Sequence, residues 1–132
     1  PARFVTRKII TAANRIAGGS KERLVLGNLD ICRDWGWAPE YVEAMWRIVQ
    51  QEKPDDFVVA TGEMHSLREF AETAFRKVGQ DLNEHLDTDA ALLRPSDIAQ
   101  SVGNPAKAHR QLGWSAATDF DALIEKLTDA CA

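Results

Sequence analysis

Three observations place this chain in the α/β class. Amphipathic helical stripes alternate with short apolar runs, helix-start and helix-stop signals punctuate the stripes, and the runs Leu24-Val25-Leu26 and Phe57-Val58-Val59-Ala60 lack the in-and-out alternation of a half-exposed strand. Wholly apolar strands separated by helices favour parallel pairing, because a parallel sheet is covered on both faces. So few strands would leave raw edges, and the expected remedy is a neighbouring sheet outside this chain.

The elements follow in order. Between Val5 and Ala17, Val5, Ile9, Ala13 and Ile16 share one helical stripe, leaving Arg7, Lys8, Asn14 and Arg15 to face water or a ligand. Gly18-Gly19-Ser20 stops that helix, since glycine takes the left-handed conformation at little cost. Leu24-Val25-Leu26 reads as a buried strand ended by Gly27-Asn28. Pro39 suits the first turn of a helix running to about Gln51, where its missing N–H would have had no partner, and Val42, Met45, Trp46 and Val49 make the stripe expected to dock it. Lys53-Pro54-Asp55 breaks the pattern, and Phe57-Val58-Val59-Ala60 is expected as a second strand, turned out by Thr61-Gly62.

Ser66-Leu67-Arg68-Glu69 is the clearest local signature: a hydroxyl cap and a carboxylate three residues on satisfy helix-end amides reciprocally. Leu67, Phe70, Ala71, Ala74, Phe75 and Val78 then form one face, closed by Gly79. Residues 81–100 are irregular, with a short strand expected near Glu84 to Leu86. Asn104-Pro105 opens a short helix ending at Leu112, Trp114 is expected to plug the core, and Thr118 to Asp121 resembles another capping box before a last helix faced by Phe120, Leu123, Ile124, Leu127 and Cys131.

A chain of 132 residues is one domain in length, read as a single unit over residues 1–132. A net charge of -4 gives no support for a polyanion-binding surface, so no nucleic-acid partner is expected. Cys32 and Cys131 do not make a disulfide framework and are expected to be reduced. With no apolar run of transmembrane length and no signal-peptide pattern, no membrane partner and a cytoplasmic setting are expected. The chain opens on Pro1 rather than Met, which leads us to expect a segment upstream.

No nucleotide-binding glycine loop is present: Gly-x-Gly-x-x-Gly and the phosphate-binding loop of nucleotide hydrolases are both missing, and Gly18-Gly19 follows a helix, where a cap is the plainer role. His65, His85 and His109 do not fall in metal-ligand spacing, and Tyr41 sits inside a helix as a core or rim aromatic. Two arginines stand out. Arg33, in Arg33-Asp34-Trp35-Gly36-Trp37, sits in a bulky, stiff loop where a guanidinium either makes paired hydrogen bonds to phosphate oxygens or pairs with Asp34 or Asp30. Arg94 precedes Pro95, which biases it toward extended backbone, and Asp97 either accepts from a ribose or base or caps the following turn.

These residues also carry a family resemblance. Phe4-Val5-Thr6-Arg7-Lys8-Ile9, Leu26-Gly27-Asn28-Leu29-Asp30, Arg33-Asp34-Trp35-Gly36, Glu40-Tyr41-Val42, Gln50-Gln51-Glu52-Lys53-Pro54, Asp56-Phe57-Val58-Val59-Ala60-Thr61-Gly62, Arg94-Pro95 and Gly103-Asn104-Pro105-Ala106-Lys107-Ala108, ending in Leu112-Gly113-Trp114, occur in the order in which the C-terminal part of GDP-mannose 4,6-dehydratases carries similar motifs. The resemblance implies the substrate-binding portion of an extended short-chain dehydrogenase/reductase, without the N-terminal Rossmann domain that binds NADP.

In that family mannose C4 is oxidised, water is eliminated across C5 and C6, and the hydride returns to C6, giving GDP-4-keto-6-deoxymannose. The carry-over places Val5 and Lys8 near the GDP-sugar, Asn28 as a further donor, Arg33 on the diphosphate, and Arg94 with Asp97 around the nucleoside end. The family's catalytic tyrosine, lysine, threonine and glutamate precede this stretch, so the resemblance implies no catalytic residue here, no NADP binding by this chain alone, and an inactive isolated chain. Its implied partners are GDP-mannose or a related nucleotide sugar, the Rossmann domain and further copies in a homo-oligomer. The sequence departs from the family at Leu92-Leu93, where aromatics usually precede the arginine, at Asp97, which replaces a longer glutamate, and at the bulky Trp37. A stand-alone binding or assembly protein, or part of another NADP-dependent nucleotide-sugar epimerase or reductase, is the alternative.

Overall fold

A computed structural model describes residues 4–93 and 96–131. The chain divides into two compact units, the first built from Pro1–Ile31, Ser66–Ala99 and Ile124–Ala132 and the second from Cys32–His65 and Gln100–Leu123.

In the first unit, helix α1 (Val5–Ala17) buries Ile9, Ile10, Ala13 and Ile16, the stripe its spacing predicts, with Ile10 added and Val5 half-buried. It packs on α3 (Leu67–Lys77), whose Leu67, Phe70, Ala71, Ala74 and Phe75 are buried. The box that starts α3 is formed at both ends: Glu69 N donates to Ser66 Oγ at 3.1 Å, and Ser66 N donates to Glu69 Oε2 at 2.6 Å. Strand β1 (Leu24–Leu26) buries Leu24 and Leu26. Its partner is β4 (Leu86–Thr88), in parallel register Leu24 to Leu86, Val25 to Asp87 and Leu26 to Thr88. The strand expected near Glu84 is thus shifted: a one-turn helix, α4 (Leu82–His85), precedes it, started by the Asp81 carboxylate accepting from Asn83 N. The Arg23 guanidinium makes two bonds to the Asp87 carboxylate, at 2.6 and 2.9 Å, and reaches the carbonyls of Glu84 and Leu86, clamping β4 beside β1.

In the second unit, β2 (Cys32–Arg33) pairs in parallel with β5 (Gln100–Ser101), so Arg33, read from sequence as lying in a loop, stands on a short strand. The remaining strand, β3 (His65–Ser66), flanks β2 on its other side. Helix α2 (Ala38–Val49) has Pro39 in its first turn as predicted, yet its docking face is different. Val42, Met45, Trp46 and Val49 are 62%, 60%, 61% and 74% exposed, and the core-facing residues are Ala44, Tyr41 and Ile48. Trp114 is the reason: nearly fully buried, it fills the space in front of α2 together with Ala108 and Leu112 of α5 (Ala106–Leu112), with the small Ala44 fully buried against it and Tyr41 and Ile48 packed at its sides.

Polar bonds then lock the rotation of α2. Trp114 Nε1 donates to Glu40 O at 2.9 Å, and Arg47 Nη1 donates to the carbonyls of Leu112 and Gly113, which the end of α5 leaves without helical partners.

Residues 57–60 are a second difference, since no strand is assigned there among the described residues. Phe57 and Val59 pack against the Trp114 cluster, while Val58 and Ala60 lie on the side that meets Gly103, so the segment alternates as a strand does without a ladder partner. The final helix, α6 (Phe120–Asp129), buries Leu123, Ile124 and Thr128. The expected Thr118 capping box does not form: the Thr118 hydroxyl donates to Glu40 Oε1 at 2.6 Å, and Asp119 accepts from Ala122 N instead. Asp119, directly before Phe120, is thus the residue that caps α6, and Thr118 stands one position too early to do so.

Candidate nucleotide-sugar site

The positions singled out by sequence fall in both units. In the first, Val5 opens α1 and is half-buried, and Lys8, one turn on, is exposed, its Nζ donating to Val25 O of β1 at 2.5 Å. Asn28 is half-buried beyond β1, and its Oδ1 accepts from Asp30 N at 2.9 Å. Asp97 is exposed in the segment after a 3-10 turn (Ala90–Leu92). Arg94 and Pro95 lie outside the described residues.

In the second unit Arg33 is half-buried, and its Nη1 donates to Cys32 O at 2.8 Å. Its neighbour Asp34, read from sequence as a competing partner, has other work. One Asp34 oxygen accepts from Thr61 N at 3.0 Å and Thr61 Oγ1 at 2.7 Å; the other accepts from Gly62 N at 2.9 Å and Gly103 N at 3.4 Å. Asp34 N also donates to Ser101 O at 3.0 Å. One carboxylate therefore ties the residues after β2 to two other loops, and no signal short of the fold marks it. Asp34 also raises the Tyr41 pKa above its ordinary value, after burial, which is the larger cause, and ahead of Glu40. Gly36 is required where it stands, because a Cβ there would meet the Tyr41 ring at 2.4 Å.

Stiffness around Arg33 is what a binding site needs, since a guanidinium held on a ladder loses less freedom on meeting an anion. Trp35 lies 6.2 Å from the Phe120 ring, and Phe120 stacks on His65 at 3.7 Å, so the residues following Arg33 rest on an aromatic base within the same unit.

The glycines do not form a dinucleotide cradle. Gly27 and Gly62, which follow the apolar runs, lead into loops rather than helix N-termini; a Cβ on Gly27 would lie 2.9 Å from Leu92 O, so its bareness serves close packing of its own chain. Among the described residues no group of three His, Cys, Asp or Glu side chains could hold a metal ion, Cys32 and Cys131 are free thiols, and no helix is long and apolar enough to cross a membrane.

Comparison with known proteins agrees with this architecture. The family model described as GDP-mannose 4,6 dehydratase matches residues 1–127. GDP-mannose 4,6 dehydratase 1 of Arabidopsis thaliana is 44% identical over 126 residues, covering 96% of this chain and 35% of the relative. The Homo sapiens GDP-mannose 4,6 dehydratase is 40% identical over 146 residues, covering 98% and 39%. The chain thus spans between a third and two fifths of the length of these relatives.

Among solved structures, RMD from Pseudomonas aeruginosa complexed with NADPH superposes with a TM-score of 0.87 at 19% identity, over 98% of this chain and 42% of that one. A dTDP-glucose 4,6-dehydratase from Bacillus anthracis in complex with NAD gives 0.82 at 12% identity, over 97% and 39%. Such low identities speak for the fold alone, that of extended short-chain dehydrogenase/reductase enzymes. With a family match running almost from end to end, the chain belongs to the GDP-mannose 4,6 dehydratase family.

Proposed function

We propose that this chain is the substrate-binding portion of a GDP-mannose 4,6-dehydratase and holds the GDP-sugar while another portion, with a Rossmann domain, binds NADP and carries the reacting groups. The observation that carries the reading is the family match over residues 1–127, within which Arg33 sits on the β2–β5 ladder beside the Asp34 bonds. In the parent reaction NADP supplies the hydride acceptor and donor. The residues of this chain supply position: Arg33 holds the diphosphate, Lys8 adds positive charge, Val5 and Asn28 contact the nucleotide sugar, and Arg94 with Asp97 bind the nucleoside end. Binding energy from these remote groups is used to hold the sugar in reacting geometry, and none of them moves a proton or a hydride.

Two features of the second unit support the need for a further portion. The exposed apolar stripe of α2 and the ladderless extended segment with Val58 at 52% exposure are surfaces that a sheet-bearing neighbour would cover.

Titration calorimetry of the purified chain with GDP-mannose tests the proposal. Saturable binding is expected, weakened about tenfold or more by Arg33→Ala because a charged contact to phosphate is lost. No GDP-4-keto-6-deoxymannose should form when NADP is added. Turnover by the chain alone would overturn the division of labour, and unchanged affinity in Arg33→Ala would overturn the site.

A further inference from the structure

A cavity of about 410 Å³ lies in the first unit beside α1 and β1, lined by Arg7, Lys8, Thr11, Arg15, Glu22 and Arg23 with Ala12 and Leu24. Its volume lies in the range of small-molecule sites, and its charge runs against that of the chain. The whole molecule carries -4, while this wall sets four cations against one carboxylate.

The cations are not equivalent. Arg23 is spent on structure, its guanidinium bonded to Asp87 and to two carbonyls of the first unit. Lys8 rests on a single carbonyl, Arg15 meets only the far edge of Glu22 at 3.8 Å, and Arg7 has no hydrogen bond or ion pair among the described residues. Arg7, Thr11 and Arg15 are spaced four residues apart, so they stand one above another on a single helix face.

A merely solvated helix face would interleave carboxylates at that spacing, but α1 contains no acidic residue. The exposed Arg7 and Arg15 flank the Thr11 hydroxyl, a donor set that matches tetrahedral anionic oxygens. Glu22, on the same wall, carries an Oε1 that is buried without a hydrogen-bond partner.

We propose that this cavity binds the phosphoryl group of a small phosphorylated molecule, through Arg7, Thr11 and Arg15 with Lys8 beside them. The inference does not rest on the nucleotide-sugar reading: Lys8 is common to both, but Arg33 belongs to the other unit and does not line this wall.

Calorimetric titration with sodium pyrophosphate at low ionic strength tests it, with circular dichroism to verify that each variant is folded. In an Arg33→Ala background, which removes the diphosphate contact proposed for the other unit, one-site binding is expected, weakened tenfold or more when Arg7→Ala/Arg15→Ala is added, and weakened by added sodium chloride. If GMP displaces the pyrophosphate, the phosphoryl group arrives on a nucleotide; if it does not, the free anion is the ligand, and the cavity is supported in both cases. The absence of pyrophosphate binding in that background, or its persistence when the double substitution is added, overturns the proposal. Loss in Arg33→Ala with retention in Arg7→Ala/Arg15→Ala alone also overturns it, and returns the anion to the second unit, leaving the GDP-mannose reading intact.

Discussion

Asp34 shows how one side chain organises the loops around it. Its carboxylate receives Thr61, Gly62 and Gly103, so the backbone beside Arg33 is held by bonds to a charged acceptor rather than by bulk. Hydrogen bonds to a charged group contribute about 1.5 to 3 kcal/mol each, though they are not additive. Asp34→Ala should therefore destabilise the chain by roughly 2 to 4 kcal/mol, read by urea denaturation, and weaken GDP-mannose binding with it. Tyr41 offers a pH test. Burial first, then the negative charges of Asp34 and Glu40, hold its pKa above the ordinary value, so the folded state favours the neutral phenol. That contribution is fully present below the unfolded pKa of about 10 and is lost as pH rises through the folded value. Thermal midpoints followed from about pH 9 to 11 should fall more steeply for the native chain than for Tyr41→Phe. Of these residues, Arg33 could be singled out as a candidate because a guanidinium among tryptophans is unusual in sequence; the part played by Asp34 could not be read, because the three residues that donate to it come from loops that only folding brings near it.

Helix α2 carries the lesson of the element scale. Val42, Met45, Trp46 and Val49 have the spacing of a docking stripe, and Tyr41, Ala44 and Ile48 form a second one about a third of a turn away. Periodicity cannot choose between two apolar stripes on one helix. The choice was made by Trp114 and by the polar bonds from Arg47 and to Glu40, contributed by positions distant in sequence. Trp46→Glu should accordingly leave the stability of the isolated chain within about 0.5 kcal/mol, whereas a buried tryptophan at that place would cost about 3 to 5 kcal/mol on removal. Urea denaturation discriminates the two outcomes, and a loss of the larger size would mean that α2 docks through the stripe first expected. By contrast, the Ser66–Glu69 box was readable because all of its partners lie within four residues. Thr118 looked equally local and was not: α6 is capped one residue later, by Asp119, and the Thr118 hydroxyl donates to the distant Glu40.

For the whole molecule, parallel pairing and the α/β class were legible from apolar runs between helices, and both pairings with assigned register are parallel. The identity of the strands was less so. Cys32–Arg33 became a strand because β5 lies beside it, while residues 57–60, apolar enough to predict one, have no ladder partner among the described residues. Strand formation is a two-body event: side chains set the propensity, but the backbone bonds require a neighbour at the right distance. The sequence by itself determined the longer helices, though not the one-turn α4, their ends wherever the caps are local, and the family, through motifs that keep their order along almost all of the chain. Tertiary structure alone decided which face of α2 is buried, which short segments pair, what the Asp34 carboxylate holds, and that Arg7, Arg15 and Glu22 wall one cavity. The division has a physical cause: caps and stripes depend on residues within two helical turns, whereas burial, strand pairing and cavity walls depend on groups that meet only when the chain folds.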